Sequence, residues 1–466
     1  MKLAQLIQCE KRLADLEIKG ITNDSREVKK DFLFVNTENT PQFDFDAIEN
    51  GALAVVSNCH SNIRNKIVVS NPVEAFSKIC AQWFGNPAKS LKLLGVTGTN
   101  GKTSVTYMLK QILEKSGKKV GVIGTIQNII GDEIVQSINT TPNAYYLNEL
   151  FALMKQKGCE YVIMEVSSHG LIKQNVSNLH FEVAMFTNLT QDHLDFHGNM
   201  DNYYSAKKKL FEMCNFAVVN SDDEYGKKLL KEIKCESVAY SLENNSDYVA
   251  KGIKYNPTCV DYELLTENLT HIRVNTAGKF TVYNSLCAIA CALKIGIPLN
   301  VIVDALSELK GVKGRAEVVQ GTKDFTVIID YAHTPDGLKN ILKTFYECKK
   351  NRLIVLFGCG GDRDKTKRAL MGEIASYYAD YLIITSDNPR TENPNEIIND
   401  ILNGVPNKQH SYKVIEQREE AIKFALSIAK KDDIIVLAGK GHETYQIIGK
   451  RKFPFDEREI IKNALQ

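Results

Sequence analysis

Leu91-Lys-Leu-Leu-Gly95-Val-Thr-Gly98-Thr-Asn-Gly101-Lys102-Thr103-Ser104-Val105-Thr-Tyr-Met108-Leu109-Lys-Gln-Ile112-Leu113 reads as a strand, a glycine-rich turn and a helix. The apolar run Leu91–Val96 predicts the strand. Val105, Met108, Leu109, Ile112 and Leu113 fall on one helical stripe, and Gly117 supplies a stop. Glycines in such a turn let backbone N–H groups approach phosphate oxygens at the positive end of the following helix. Gly98, Thr99, Asn100, Gly101, Lys102, Thr103 and Ser104 are therefore candidate nucleotide contacts, with Lys102 toward the β- and γ-phosphates and the Thr103 hydroxyl toward magnesium. Val96 stands five positions before Gly101, where the general pattern has a glycine. The loop alone fits kinases, GTPases and motors, or a turn that holds no nucleotide, so it names no reaction.

Outward from the loop, short apolar runs alternate with amphipathic helical patterns, and no internal repeat or low-complexity tract interrupts them. That alternation predicts α/β domains built on parallel sheets. A chain of 466 residues divides into about three domains. One break falls near Asn86-Pro87 and another in Lys310-Gly-Val-Lys-Gly314, giving domains 1–88, 89–312 and 313–466. Polar and glycine residues cluster where apolar runs end. Glu165 ends Tyr161–Met164, Asn188 follows Val183–Thr187, and Asp330 ends Phe325–Ile329. Gly358 follows Leu353–Phe357, Asp387 follows Tyr381–Ser386, and Gly439 follows Ile434–Ala438. Ligands of open α/β sheets bind beyond the carboxyl ends of strands, so the placement predicts two facing sites, one on each larger domain.

A net charge of +2 argues against a broad nucleic-acid or membrane-surface footprint. Eleven dispersed cysteines without a CxxC pair suit a reducing cytosol, and Cys287 and Cys291 read as core thiols on one helix. The charged N-terminus has no apolar signal core, and Lys294 and Pro298 break the apolar stretch Ser285–Leu306. A cytoplasmic protein that neither spans a membrane nor binds nucleic acid is the expectation.

Further motifs are ambiguous one by one. Glu165 sits where a second magnesium ligand is needed. His193 and His197, four apart, touch on a zinc pattern, but no HExxH is present, and hard oxygen ligands suit magnesium better. Lys207-Lys208-Lys209 alone matches a solvated helix face. Pro335 in Asp330-Tyr-Ala-His-Thr-Pro335 alone matches a helix first turn, and Arg315 alone matches a surface residue.

Their order is not ambiguous. GVTGTNGKTS, NTTP (Asn139–Pro142), MEVSSHGL, TNLTQDHLDFHG, YSAKKKLF, GRAE, DYAHTPD, FGCGGDRDKTKR, SDNPRTENP and GKGHETYQ, taken together, resemble the Mur ligase family from about Ser25 to about Asp456. The resemblance implies a small N-terminal domain for the uridine nucleotide, a central P-loop ATPase-like domain and a C-terminal Rossmann-like domain that binds an amino acid. The last three motifs point to members that join meso-2,6-diaminopimelate to the D-glutamate of UDP-N-acetylmuramoyl-L-alanyl-D-glutamate. That is a step of bacterial peptidoglycan synthesis, and so of cell-wall biogenesis, cell shape and division.

What the resemblance implies residue by residue is an ADP-forming amide ligase that uses ATP and two magnesium ions. Lys102 and Arg315 would take the phosphoryl charge. Thr103 and Glu165 would hold one ion. His193, and Lys207 carried as N6-carboxylysine, would help hold the other. Asn284 would contact adenine and Asp330 the ribose, although Thr281 stands where an asparagine is usual. The UDP-muramoyl dipeptide would meet Ser25, Arg26, Asn139, Thr140, Thr141 and Ser167. Lys173 and Asn175 occupy the stretch where the family has a glutamine and an arginine. Diaminopimelate would meet Arg363, Asp387, Asn388, Pro389, Arg390, Gly439 and Glu443. A monomer working on small molecules is implied. The competing readings are L-lysine as the added amino acid, a folylpolyglutamate synthase-like ligase and a P-loop nucleotide switch. Ser25-Arg26 and Asp387–Arg390 count against the synthase, and a switch leaves Asp330, Arg363 and Glu443 without purpose.

Overall fold

The computed structural model describes residues 1–465 except 244, 267, 320, 323 and 407–410. Among the described residues, three sheets of four or more strands follow one another along the chain, and a two-stranded one, Tyr445–Ile448 with Arg451–Pro454, lies near its end. The first holds four parallel strands, from Gly20–Thr22 to Lys66–Val68. The second holds eleven, and its parallel centre runs in the order 248–255, 236–241, 214–220, 181–186, 92–97, 161–165 and 120–123. Antiparallel strands close both edges, Val260–Leu265 with Leu269–Val274 on one side and Gln127–Ile130 with Glu133–Gln136 on the other. The third has six strands, parallel except for the short Glu317–Val318.

The sequence reading of a parallel α/β chain holds. The strand before the loop is Lys92–Thr97, between Tyr161–Glu165 and Phe181–Phe186 in mid-sheet, and the helix after it is Lys102–Lys115. Helical Val105, Met108, Leu109, Ile112 and Leu113 are all buried against the sheet face that also receives the helix Lys279–Lys294. That second helix carries Cys287 and Cys291 fully buried. The apolar stretch splits into Lys279–Lys294 and Leu299–Ser307, and no described helix is long and apolar enough to cross a membrane. The antiparallel edges were not expected. Their strands alternate exposed and buried residues, as in Leu269–Val274, because one face stays open to water there.

In the third sheet, buried charge shapes the loops. The Arg368 guanidinium grips both Glu392 oxygens at 2.9 and 3.0 Å and Asp400 at 2.9 Å. It also reaches the Gly360 carbonyl at 3.3 Å, so the pair frames the 358–363 loop. The Arg368 hydrogen bonds hold the Glu392 carboxyl down from an ordinary 4.5 to about 2. A depressed carboxylate stabilises the fold above its unfolded pKa, and that stability is lost as pH falls from about 4.5 toward 2. Glu392→Ala should cost about 1–3 kcal/mol near neutral pH, because the buried Arg368 guanidinium loses two charge-assisted bonds and keeps Asp400 as its counter-charge. Urea melts should show the gap to wild type shrinking as pH is lowered through that window. A gap unchanged with pH would mean that the ion pair is not its source.

Candidate active site

The loop after Lys92–Thr97 turns through Gly98 at φ 148° and Gly101 at φ 87°, both conformations that favour glycine. A Cβ at Gly98 would strike Thr187 Oγ1 at 1.9 Å, and one at Gly101 would strike Asn284 Oδ1 at 2.4 Å. Asn284, buried on its helix, therefore packs on the glycine-rich loop itself, beside the residues expected from sequence to meet the nucleotide. Thr281, one turn earlier, donates to the Ala277 carbonyl at 2.7 Å. Lys102 Nζ donates to the Gly98 and Thr99 carbonyls, both at 2.9 Å. Ser104 follows in the first turn of the helix.

Glu165 closes its strand 1% exposed, inside a shell of donors. Thr103 Oγ1 lies 3.0 Å from each of its oxygens, Thr125 Oγ1 2.9 Å from one, and the Thr125 N–H 3.0 Å from the other. A Cβ on Gly124 would sit 2.4 Å from Glu165 Oε1, so the cradle depends on glycine there. A carboxylate among hydroxyls is the hard-oxygen set that magnesium takes. Among the described residues no three His, Cys, Asp or Glu side chains gather for a metal, so the donor set here is one of hydroxyls and a single carboxylate.

Lys207 reaches the same loop from the helix Met200–Lys208. Its Nζ donates to the Gly98 carbonyl at 2.8 Å, the same oxygen that Lys102 uses, and lies 4.7 Å from the Tyr203 ring centre. The side chain is almost wholly buried. Burial first, then the Lys102 charge, hold the Lys207 amine well below its ordinary pKa, with Asp192 opposing. His193 borders the cluster in a left-handed conformation, φ 52°. Its ring is 4.9 Å from that of His169 and 6.4 Å from that of Tyr203, with Asp192 Oδ2 3.4 Å from Nε2. His197 is buried, bonds Ser168 Oγ at 2.9 Å and stacks on Tyr203.

The residues expected at the muramoyl dipeptide split into two groups. Thr140 Oγ1 pairs with Thr125 Oγ1 at 3.0 Å, and Thr141 Oγ1 donates to the Glu165 carbonyl and accepts from Ser167 N–H. Asn175 Nδ2 donates to the Thr141 carbonyl at 3.2 Å, which brings it into this group, while Lys173 and Asn139 are exposed beside it. Ser25 and Arg26 lie in a short 3-10 helix, Ser25–Glu27, between the strands Gly20–Thr22 and Phe32–Val35 of the first sheet. Arg26 is 87% exposed and forms two hydrogen bonds with Asp24, at 2.8 and 2.6 Å, so its fork is already engaged.

Arg315 joins the two larger sheets. Its Nη2 is 3.5 Å from Thr103 Oγ1, its guanidinium lies 4.8 Å over the Tyr331 ring, and its buried Nε has no hydrogen-bond partner among the described residues. Asp330 holds that turn in place by accepting from the Ala316 and Ala332 N–H groups at 2.7 and 2.8 Å, and burial raises its pKa. At the edge of the third sheet, Arg390 Nη1 donates to the Gly361 carbonyl at 2.8 Å. A Cβ on Gly360 would touch Arg390 Nη1 at 2.9 Å and Arg363 Cγ at 3.9 Å, so the two arginines share one rim. Pro389, buried, precedes Arg390.

The model for the Mur ligase middle domain matches residues 96–292, and that for the Mur ligase glutamate ligase domain matches 314–441. A UDP-N-acetylmuramoyl-L-alanyl-D-glutamate–2,6-diaminopimelate ligase of Caldanaerobacter subterraneus subsp. tengcongensis is 47% identical, with 97% of this chain and 95% of the relative covered. The chain belongs to the Mur ligase family. A solved structure of a ligase with that same name aligns at a TM-score of 0.74 and 32% identity, over 100% of this chain and 98% of the other. MurF ligase from Thermotoga maritima, solved in complex with ADP, shares the fold at TM-score 0.64 and 18% identity, with 94% and 95% covered.

In this Mur ligase, Lys440 is the residue that sequence reading overlooked. Fully buried, its ammonium contacts Asp387 Oδ1 at 3.0 Å, Asn388 Oδ1 at 2.9 Å, Glu443 Oε2 at 3.4 Å and the Tyr445 carbonyl at 3.0 Å. Asn388 Nδ2 adds a bond to Glu443 Oε2 at 2.9 Å. Lys440 thus organises Asp387, Asn388 and Glu443 into one unit. Burial resists the Asp387 charge, but Lys440, helped by Arg418, leaves that carboxyl below its usual range. Burial pushes Glu443 upward. Gly439, at φ 112°, turns the chain past Asp387. The only sequence signal for Lys440 was a lysine between two glycines directly after a five-residue apolar strand.

Proposed function

We propose that the chain joins meso-2,6-diaminopimelate to the D-glutamate side chain of UDP-N-acetylmuramoyl-L-alanyl-D-glutamate at the expense of ATP. The observation that carries this reading is Arg315, whose turn Asp330 fixes by accepting from the next residue's N–H, and which reaches Thr103 of the phosphate loop. One cation thereby links a phosphate site to the arginine-rimmed pocket of the third sheet. The domains 1–88, 89–312 and 313–466 would carry the uridine nucleotide, ATP and the amino acid in turn.

The γ-phosphoryl group passes to the D-glutamate carboxylate, giving an acyl phosphate and ADP. The diaminopimelate amine then attacks the carbonyl carbon, and the tetrahedral intermediate expels phosphate to leave the amide. Two anions must meet in the first step, so the chain's task is alignment and charge neutralisation. Lys102 leaves its loop carbonyls for the phosphate oxygens, and Arg315 covers the transferring group from the other sheet. The loop N–H groups from Gly98 to Ser104 bind the phosphates, with Asn284 and Asp330 at the nucleoside end. Thr140, Thr141, Ser167 and Asn175 form the wall beside Glu165 on which the dipeptide is laid, with Asn139 and Lys173 at its rim and Ser25 and Arg26 at the distant uridine. Magnesium, when bound, neutralises phosphate oxygens. Thr103 and Glu165 would hold one ion, and His193 with carboxylated Lys207 would help hold a second.

Phosphate release measured with each substrate omitted in turn tests the reading. Release should require ATP, the UDP-linked dipeptide and the amino acid together, and a product mass should show the new amide. Hydrolysis of ATP without the other two would instead support a nucleotide switch.

A further inference from the structure

We infer that Asp336 is a positioning residue that ties the third sheet to both loops framing the phosphate site, an inference that rests on the ligase reading above for its kinetic consequence. Asp336 is the second residue of the helix Pro335–Cys348, whose cap is Thr334, accepting from Gly337 N–H at 3.1 Å. A carboxylate in a first helical turn is favourably placed against the helix dipole. One of its oxygens, Oδ2, accepts from Asn100 Nδ2 at 3.0 Å and from Thr190 Oγ1 at 3.1 Å. Asn100 belongs to the phosphate loop, and Thr190 to the segment after the strand Phe181–Phe186.

Those two segments are already stitched together. Asn100 N–H donates to Asn188 Oδ1 at 2.9 Å, Thr99 N–H to the Asn188 carbonyl at 2.9 Å, and Thr190 N–H to Thr99 Oγ1 at 3.0 Å. Asp336 therefore takes hold of a rigid pair rather than a loose loop. With Arg315 at Thr103, it gives the third sheet a second grip on the loop. Asp336 gains nothing for nucleotide affinity, because an anion beside the loop repels phosphate. What it supplies is registration of the amino-acid pocket against the phosphates, and reaction rates depend steeply on such alignment.

Both bonds fall on one oxygen, and that sets the test. Asparagine can present the same oxygen without the charge, whereas alanine cannot. Asp336→Ala should lower kcat about tenfold, the scale of one lost charge-assisted bond, with KM for ATP changed less than about threefold. Asp336→Asn should restore most of kcat. Amide hydrogen exchange on the full chain without substrates gives the independent readout. Residues 98–101 and 187–190 should exchange faster in Asp336→Ala and at the wild-type rate in Asp336→Asn. Thr190→Val should loosen the same segments partway, and add little on top of Asp336→Ala. Wild-type exchange in the alanine variant overturns the tether, as does an asparagine variant as loose as the alanine one. Because exchange needs no substrate, loosening in Asp336→Ala supports the tether even if the wild type fails to ligate, and that failure counts against the ligase reading alone.

Discussion

Lys207→Ala should lower ligation by about 10³-fold or more, the scale set by losing a ligand of the ion that would neutralise the transferring phosphate. Lys209→Ala, on the exposed side of the same triplet, should change it less than about twofold. The asymmetry follows from where the two amines lie. Lys207 Nζ and Lys102 Nζ both lean on the Gly98 carbonyl oxygen, 2.8 and 2.9 Å away. Burial first, and the Lys102 charge beside it, disfavour the charged form of Lys207. A neutral lysine amine is the form that attacks carbon dioxide. That attack would form an N–C bond, release one amine proton to solvent and turn the neutral amine into an anion with two oxygens. Those oxygens would be of the type a divalent ion takes. Gentle native mass measurement should show one added CO2 on wild type and none on Lys207→Ala. Activity should fall when carbon dioxide is stripped from the buffer and return with bicarbonate. An active, metal-loaded enzyme that carries an unmodified Lys207 refutes the carbamate.

The parts of this molecule that sequence made legible are those written in local period. Runs of apolar residues marked the parallel strands, so the residues at their carboxyl ends could be named: Glu165 closes Tyr161–Glu165, Asp330 closes Thr326–Asp330, and Gly439 follows Ile434–Ala438. Ordered motifs then gave the family. What stayed hidden was pairing across long stretches of chain. Lys440 meets Asp387 and Asn388 more than fifty positions earlier, and Asp336 meets Asn100 across 236 residues. Thr125 completes the Glu165 cradle from a turn with no motif of its own. Nor does sequence show that Arg26 is turned onto Asp24 while Ser25 stays half-buried.

In the proposed ligase, the choice of amino acid would rest on the rim that Arg390 and Arg363 share beside Gly360. Wild type should prefer meso-diaminopimelate to L-lysine by roughly 10⁴-fold in kcat/KM, the discrimination expected of sites built to hydrogen-bond a polar group that the analogue lacks. Diaminopimelate carries a second carboxylate on its far carbon, and lysine does not. A guanidinium offers five N–H donors in a planar fork suited to carboxylate. Gly361 takes one of them at 2.8 Å and so fixes the fork's direction. The backbone is fixed as well. Arg390 is held at φ 50°, a conformation that costs a non-glycine residue energy. Its N–H and carbonyl are pinned by Ile447 at 3.1 Å and Gly449 at 2.7 Å. Behind the rim, Lys440 holds Asn388 and Glu443 as one unit, and Glu443 would be the anion for the distal ammonium. Lysine would leave the Arg390 fork desolvated and unpaired. Arg390→Ala should therefore lose most of the preference by falling for diaminopimelate while holding steady for lysine. Arg390→Lys, which keeps the charge without the fork, should fall between. A surface-loop role for Arg390 gives a different pattern, in which both amino acids lose kcat/KM together and Tm drops. Equal wild-type efficiency with the two amino acids, or an alanine variant with its preference intact, would place the recognising pocket elsewhere on the third sheet.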